Sequence, residues 1–256
     1  MLKPASRLLM SEIPVARPSS TVILARDTGT EPEFLLVRRV VRSSFGGAHV
    51  FPGGVVDEYD EAVATMPSTL DANDADQRLD AESALKFYSA ALRELFEETG
   101  IVIGELASTS GSALRDELLA DGSRWPAMLE RGDIRPAFER LSYISEWITP
   151  DSLPKRYATR FFVAVEDAGQ EAVPCGGELT ECRWMSASDA LAAGDEESIV
   201  LHPPTRLTLE QLARHASIES LLDWARDLEQ HGAPTIAATH ATLESVRAAL
   251  AGRAGA

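Results

Sequence analysis

Three closely spaced glutamates are the residues of this sequence best suited to chemistry. Glu94, Glu97 and Glu98 lie in a stretch, 84–99, whose apolar residues recur every three or four positions, as in a helix. Offsets of three and four place the three carboxylates on one helix face. Crowded carboxylates repel one another, and the helix dipole disfavours acids near a helix C-terminus. The spacing therefore points to a hard cation, Mg²⁺ or Mn²⁺, which prefers oxygen ligands and commonly bridges carboxylates to phosphate.

Taken alone, such a cluster is also typical of a solvated acidic helix end, and its neighbours distinguish the two. Residues 93–101 read Arg-Glu-Leu-Phe-Glu-Glu-Thr-Gly-Ile, and Phe-Pro-Gly-Gly stands upstream at 51–54. Both segments resemble the Nudix box, the signature of the Nudix hydrolase family. The resemblance implies an α/β fold, with a mixed β-sheet in an α/β/α sandwich. It also implies hydrolysis of the diphosphate bond of a nucleotide-like small molecule.

The resemblance assigns a role to each residue of the box. The metal ligands it implies are Glu94, Glu97, Glu98 and the carbonyl oxygen of Gly54 or, alternatively, Gly53; the three acids would also be the catalytic residues. Glycine suits a position where the backbone must approach metal and phosphate closely. Arg93 and Gly53 would be structural, with Arg93 orienting the acids rather than contacting substrate.

A long insertion interrupts the box. Gly54 and Arg93 are 39 residues apart, well beyond the ordinary spacing, and the excess coincides with residues 57–82. This segment holds nine acidic residues and one basic residue. We interpret it as a surface excursion with little share in the core. The partner of Arg93 is left open by the insertion, since Asp60, Glu58 or another acid could pair with it.

The insertion and two further segments, 44–57 and 147–162, resemble one branch of the family, which includes the peroxisomal coenzyme A diphosphatase. The resemblance implies coenzyme A or acyl-coenzyme A as substrate. We therefore expect Arg38, Arg39 and Arg42 to bind substrate, because a guanidinium forks onto phosphate. Position 43 is a serine, which departs from the coenzyme A signature of the branch. NADH- and ADP-ribose-type dinucleotides are thus alternative substrates.

Further candidates come from the second half of the domain. Trp147, Arg156 and Tyr157 are candidates for a nucleotide pocket, because aromatic rings stack on bases and arginine forks onto phosphate. A buried tryptophan at a strand end is the alternative.

The general base is left open by the sequence. It could be a box glutamate, or one of the later acids Glu178 and Glu181. His49 is more simply interpreted as a strand residue that supports the glycine turn, the segment that contains Gly53 and Gly54.

The remaining pattern alternates strands with helices. Strands are predicted over 20–26 and 34–41 as a hairpin, and over 101–103, 140–148, 157–166 and 180–185. We predict a Nudix domain over 15–204, which includes the insertion, and a C-terminal helical extension over 205–256 with a helix at 242–251. The extension is a candidate surface for a homodimer.

Composition excludes several functions. A net charge of -16 disfavours a nucleic-acid-binding surface, and no apolar run approaches the roughly 18 residues that span a bilayer. Cys175 and Cys182 fit no metal or redox motif and suggest free thiols in the cytoplasm. The expected partner is a small nucleotide-like molecule. A module that senses nucleotides without cleaving them is the competing hypothesis, which three intact glutamates disfavour.

Overall fold

A computed structural model describes residues 13–40, 47–107, 111–167 and 169–237. The strands are β1 (Arg17–Arg26), β2 (Glu33–Arg39), β3 (Ala48–Val50), β4 (Gly53–Val55), β5 (Gly104–Leu106), β6 (Ile134–Pro136), β7 (Ser142–Ile148), β8 (Tyr157–Val165), β9 (Leu179–Ser186), β10 (Val200–Leu201) and β11 (Thr235–Ala237). The α-helices are α1 (Glu58–Val63), α2 (Ala72–Leu79), α3 (Leu85–Thr99), α4 (Gly111–Ala120), α5 (Trp125–Glu130), α6 (Ala187–Asp195), α7 (Pro203–Leu212) and α8 (Ile218–His231). The predicted helix at 242–251 lies outside the described residues.

A nine-stranded mixed sheet carries the fold in this part of the chain. Its order is β10-β3-β2-β1-β8-β7-β11, with β4 pairing β1 and β9 pairing β2. β1 and β8 run parallel from the pair Arg17 and Tyr157 onward. The predicted hairpin is confirmed, since β1 and β2 pair antiparallel with Ala25 opposite Phe34.

The sheet splits along one edge of β1, where the neighbouring strand changes from β4 to β2. Near its start β1 pairs with β4, where Ser20 lies opposite Gly54, and near its end it pairs with β2. β3 pairs with the far end of β2. Phe51 and Pro52 therefore carry the chain from the edge of β2 to the edge of β1. This crossing places the glycine turn at the division of the sheet.

Alternate residues of β1 enter separate cores on the two faces. Val22 and Leu24 pack in a cluster with α3, whereas Ile23 and Ala25 pack in a cluster with α6, α7 and α8. The period of two follows from the strand geometry, and it produces the expected α/β/α sandwich. Among the described helices, none combines the length and apolarity needed to cross a membrane.

The insertion differs from its predicted peripheral role. It forms α1 and α2, and it buries the apolar side chains Val63, Leu70, Ala75 and Leu79 in the core that contains α3. Ala75 and Leu79 are four residues apart, so they lie on one face of α2. The expectation of little share in the core was wrong, because these four apolar residues of the acidic segment are buried in the core.

The C-terminal extension also differs from a separate appendage as far as it is described. Leu207, Leu212 and Leu221 are fully buried against the sheet. β11 then adds a parallel edge strand to β7, with Ile236 opposite Trp147. Residues 203–237 are thus part of the body of the domain, and the homodimer stays a prediction.

The predicted strand at 101–103 is a buried loop. Ile101, Val102 and Ile103 are nearly inaccessible, which explains the prediction from sequence. The side chain of Gln170 accepts from the backbone N–H of Val102 and donates to its carbonyl, each at 2.9 Å. An amide side chain therefore satisfies backbone groups that a neighbouring strand would otherwise satisfy. The predicted helix at 84–99 is confirmed as α3, and Gly100 ends it at φ +78°.

Candidate active site

Arg93 organises the acidic face of α3. Its side chain is 1% exposed. Nε and Nη2 donate to the two carboxylate oxygens of Asp60 at 3.2 and 2.9 Å, and Nη2 also donates to the carbonyl oxygen of Val55 at 2.8 Å. Nη1 donates to Glu94 at 2.9 Å and to Glu97 at 3.2 Å. One guanidinium therefore joins the insertion, the glycine turn and two of the three glutamates.

Asp60 is the acid that the sequence left undetermined. It lies on α1, is fully buried, and accepts further hydrogen bonds from the Ser89 hydroxyl at 2.8 Å and the backbone N–H of Asp57 at 3.0 Å. The Trp125 indole N–H donates to the same Ser89 hydroxyl at 3.0 Å. Glu58, the other named candidate, is exposed. A fully hydrogen-bonded buried carboxylate thus fixes the orientation of Arg93.

The glycine turn leaves room for two of the carboxylates. The N–H of Gly53 donates to Oε2 of Glu98 at 2.9 Å. A Cβ added to Gly54 would lie 2.3 Å from the carboxyl carbon of Glu94, and one added to Gly53 would lie 2.3 Å from the Ser20 carbonyl oxygen. Neither position therefore tolerates a side chain without displacement of its surroundings.

Burial and crowding raise the proton affinity of these acids. Burial raises the pKa of Glu97 to about 7, although the Arg93 guanidinium opposes the shift. Burial also raises the pKa of Glu98, and the neighbouring Glu94 carboxylate adds to this shift. Burial likewise raises the pKa of Glu94. Excess negative charge has thus accumulated at one place in a medium that screens it poorly.

This donor set suits a hard divalent cation. Among the described residues, the acids that interact here include Glu94, Glu97, Glu98, Asp60 and Glu178, and the cations include Arg93 and Arg39. Within the described residues, no three His, Cys, Asp or Glu side chains are already arranged to hold a metal ion. The reason is that Arg93 holds the carboxylates of Glu94 and Glu97, while Glu98 accepts from Gly53. The oxygen donors are appropriate, and their carboxylates would have to turn to enclose a cation.

A cleft of about 580 Å³ opens beside the acids. Gly54, Glu94 and Glu178 line its acidic end. Trp147 and Tyr157 also line it, and Tyr157 lies opposite Arg17, three residues along β1 from the pair of Ser20 and Gly54. A concave site of this size, with mainly apolar walls and a few charged groups, suits a small organic molecule.

Of the predicted substrate-binding arginines that the structure describes, Arg39 alone lines the cleft. Arg39 lines the cleft, and its Nη2 lies 3.8 Å from Oε1 of Glu98. Arg38 is exposed on the same strand and does not line the cleft. Arg42 lies outside the described residues. Arg156 does not line the cleft either, because its guanidinium donates to the carbonyl oxygens of Pro14 and Thr149 and pairs with Asp151.

The two later acids are also separated. Glu178 lines the cleft, whereas the carboxylate of Glu181 lies 3.7 Å from Nε2 of His49. His49 is 4% exposed, sits in β3 and is not a lining residue of the cleft. Burial lowers the pKa of His49, which favours the neutral ring. This position agrees with the structural interpretation of His49.

Sequence reasoning missed part of the cleft wall. Arg17 lies at the start of β1, and the segment 202–205 lies at the start of α7; both line the cleft. Residues so distant in sequence meet only because β1 pairs with β8 and α7 packs on the same face of the sheet. No local spacing could have indicated this.

Comparison with known proteins agrees with this geometry. Residues 61–212, more than half of the chain, match the NUDT19 Nudix domain family. The chain is 25% identical to the human acyl-coenzyme A diphosphatase NUDT19, an alignment that covers 80% of this chain and 70% of the human protein. A Caenorhabditis elegans protein named as nudix hydrolase 7 is 26% identical, over 77% of this chain; the match spans 61% of that protein's length. The crystal structure of a NUDIX hydrolase from Alicyclobacillus acidocaldarius is similar, with a TM-score of 0.70 and 25% identity, covering 82% of this chain and 96% of that one.

Proposed function

The chain belongs to the Nudix hydrolase family, and we propose that it cleaves the diphosphate bond of coenzyme A or an acyl-coenzyme A. The observation that carries the proposal is the position of Glu94 directly behind Gly54, at the acidic end of a cleft large enough for a nucleotide-like molecule. The substrate is supported by the likeness to relatives named as acyl-coenzyme A diphosphatases.

The proposed metal ligands are Glu94, Glu97, Glu98 and the carbonyl oxygen of Gly54. Mg²⁺ or Mn²⁺, when bound, would neutralise phosphate oxygens and lower the pKa of the attacking water. Turning Glu94 and Glu97 away from Arg93 leaves that guanidinium forked on Asp60. The helix therefore keeps its anchor while its carboxylates change partners.

The proposed reaction is an in-line displacement by water. Water attacks one phosphorus, the bridging P–O bond on the far side breaks, and the leaving phosphate takes the bonding electron pair. Glu178 is the better placed of the two later acids to accept the proton of water, because it lines the cleft and Glu181 does not. With coenzyme A the products are a phosphopantetheine and adenosine 3′,5′-bisphosphate.

A turnover assay tests this function. Coenzyme A, a short acyl-coenzyme A, NADH, ADP-ribose and nucleoside triphosphates are compared in Mg²⁺, with and without EDTA. We expect the highest kcat/KM with a coenzyme A compound and no turnover in EDTA. Faster hydrolysis of a dinucleotide would show that the preferred substrate is a dinucleotide and not a coenzyme A compound. Binding without turnover of any compound would favour the nucleotide sensor.

A further inference from the structure

We infer that Arg17 binds a phosphate monoester carried by the nucleoside half of the substrate, at the end of the cleft opposite the glutamates. This inference rests on the proposed function and adds a specificity residue to it. It also moves recognition of the second phosphate from β2, where the sequence placed it, to the start of β1.

The cation balance of the cleft favours Arg17. Arg17 is exposed and lines the cleft, and no acid in the described part of the chain forms an ion pair with its guanidinium. Arg39 also lines the cleft, but its guanidinium is engaged by Glu98 and the Gly53 carbonyl. An unpaired guanidinium can give a phosphate two charge-assisted hydrogen bonds without breaking existing ones.

The register of the sheet sets the distance. Ser20 of β1 lies opposite Gly54, and Arg17 precedes Ser20 by three residues. At about 3.3 Å per residue, the backbone of Arg17 is roughly 10 Å from that of Ser20, beside the acidic end. The 3′ and 5′ oxygens lie on opposite sides of a ribose. Protein groups that contact a 3′-phosphate and a 5′-phosphate must therefore be separated by a comparable distance. The arginine side chain covers part of that distance.

The walls near Arg17 suit the rest of a nucleoside. Trp147 and Tyr157 line the cleft, and Tyr157 lies opposite Arg17 in the sheet. Aromatic rings pack against bases. α7 begins here with Pro203 and Pro204, which lack backbone N–H groups. The start of α7 is therefore a poor anion site, which leaves the charge recognition to Arg17.

Calorimetric titration tests the inference without turnover. Adenosine 3′,5′-bisphosphate and AMP are titrated in Mg²⁺ into the wild type, Arg17→Gln and the matched control Arg214→Gln. Neither compound has a diphosphate bond to cleave, so the result is independent of the hydrolytic activity. Arg214 is exposed and outside the cleft.

We expect the wild type to bind the bisphosphate about tenfold more tightly than AMP, as a charge-assisted pair would give. Arg17→Gln should lose this preference and keep its affinity for AMP, and Arg214→Gln should keep both. Equal or unmeasurable affinities in the wild type, or a preference that survives Arg17→Gln, would overturn the inference.

Discussion

At the scale of single residues, the site depends on how one buried arginine divides its donors. Nε and Nη2 of Arg93 fork onto Asp60, which leaves Nη1 for Glu94 and Glu97. Asp60, which anchors Arg93, and the two glutamates of the site therefore accept mainly from different nitrogens of the guanidinium. This division explains how Arg93 can hold α3 in place while the glutamates stay available to a cation.

Asp60→Asn should destabilise the protein by about 3 kcal/mol, because removal of one partner leaves a buried charge under-compensated. The measurement is urea unfolding followed by circular dichroism. Glu58→Gln is the matched control, since Glu58 is an exposed acid two residues away on α1, and it should change stability by less than about 0.5 kcal/mol. Equal effects of the two substitutions would show that Asp60 is not the anchor.

Glu97→Gln and Glu98→Gln should each lower kcat by at least about tenfold, because each removes charge that supports the bound metal and the transition state. Neither should lower the Tm of the metal-free protein, since each substitution removes a carboxylate that the neighbouring Glu94 repels. Glu105→Gln serves as control, as the Glu105 side chain is 76% exposed and does not line the cleft. Wild-type turnover of both variants in saturating Mg²⁺ would contradict the metal-site assignment.

At the scale of elements, the insertion shows how an acidic segment can still belong to the core. Asp71 caps α2 by accepting from the N–H groups of Asn73 and Asp74, and Asp80 ends it in the left-handed region at φ 46°. Caps of this kind allow a helix of eight residues to form with only Ala75 and Leu79 buried. The exposed acids of α2 change the stability of the protein little, and the buried side chains of Ala75 and Leu79 hold the helix against the core.

Leu79→Ala should therefore cost about 2–4 kcal/mol of unfolding free energy, as expected when a fully packed leucine leaves a cavity. Gln77→Ala on the exposed face of the same helix is the control and should have almost no effect. Denaturant titration compares the two variants with the wild type. A loss below about 0.5 kcal/mol for Leu79→Ala would restore the interpretation of the insertion as a peripheral loop.

At the scale of the whole molecule, the C-terminal segment completes both the second core and the cleft. Leu207 and Leu221 pack against the sheet, and the start of α7 lines the cleft. The salt bridge between Arg78 and Glu229, at 3.3 Å, links α2 to α8 across the domain. The segment thus connects the insertion, the sheet and the substrate end of the cleft.

A chain shortened to end at residue 204 should fail to fold cooperatively. It would expose the apolar face that α7 and α8 cover and would leave β7 without its parallel partner β11. Thermal unfolding and size-exclusion chromatography are the measurements. A soluble, cooperatively unfolding product would show instead that 205–256 is an independent extension.

The sequence by itself determined the helix with the three glutamates, the glycine turn and the family. These features are local: helical periodicity, the spacing of Glu94, Glu97 and Glu98, and a run of nine matching box positions lie within short segments. Short-range patterns translate directly into a helix face because its geometry repeats every 3.6 residues.

Only the tertiary structure decided which acid holds Arg93, how the insertion packs and which residues form the far wall of the cleft. Asp60 and Arg93 are separated by 33 residues and Arg17 and Tyr157 by 140, so their contacts depend on how whole elements pack. Nine acids in one segment look alike in sequence. Burial distinguishes Asp60 from the others, and burial is a property of the assembled core.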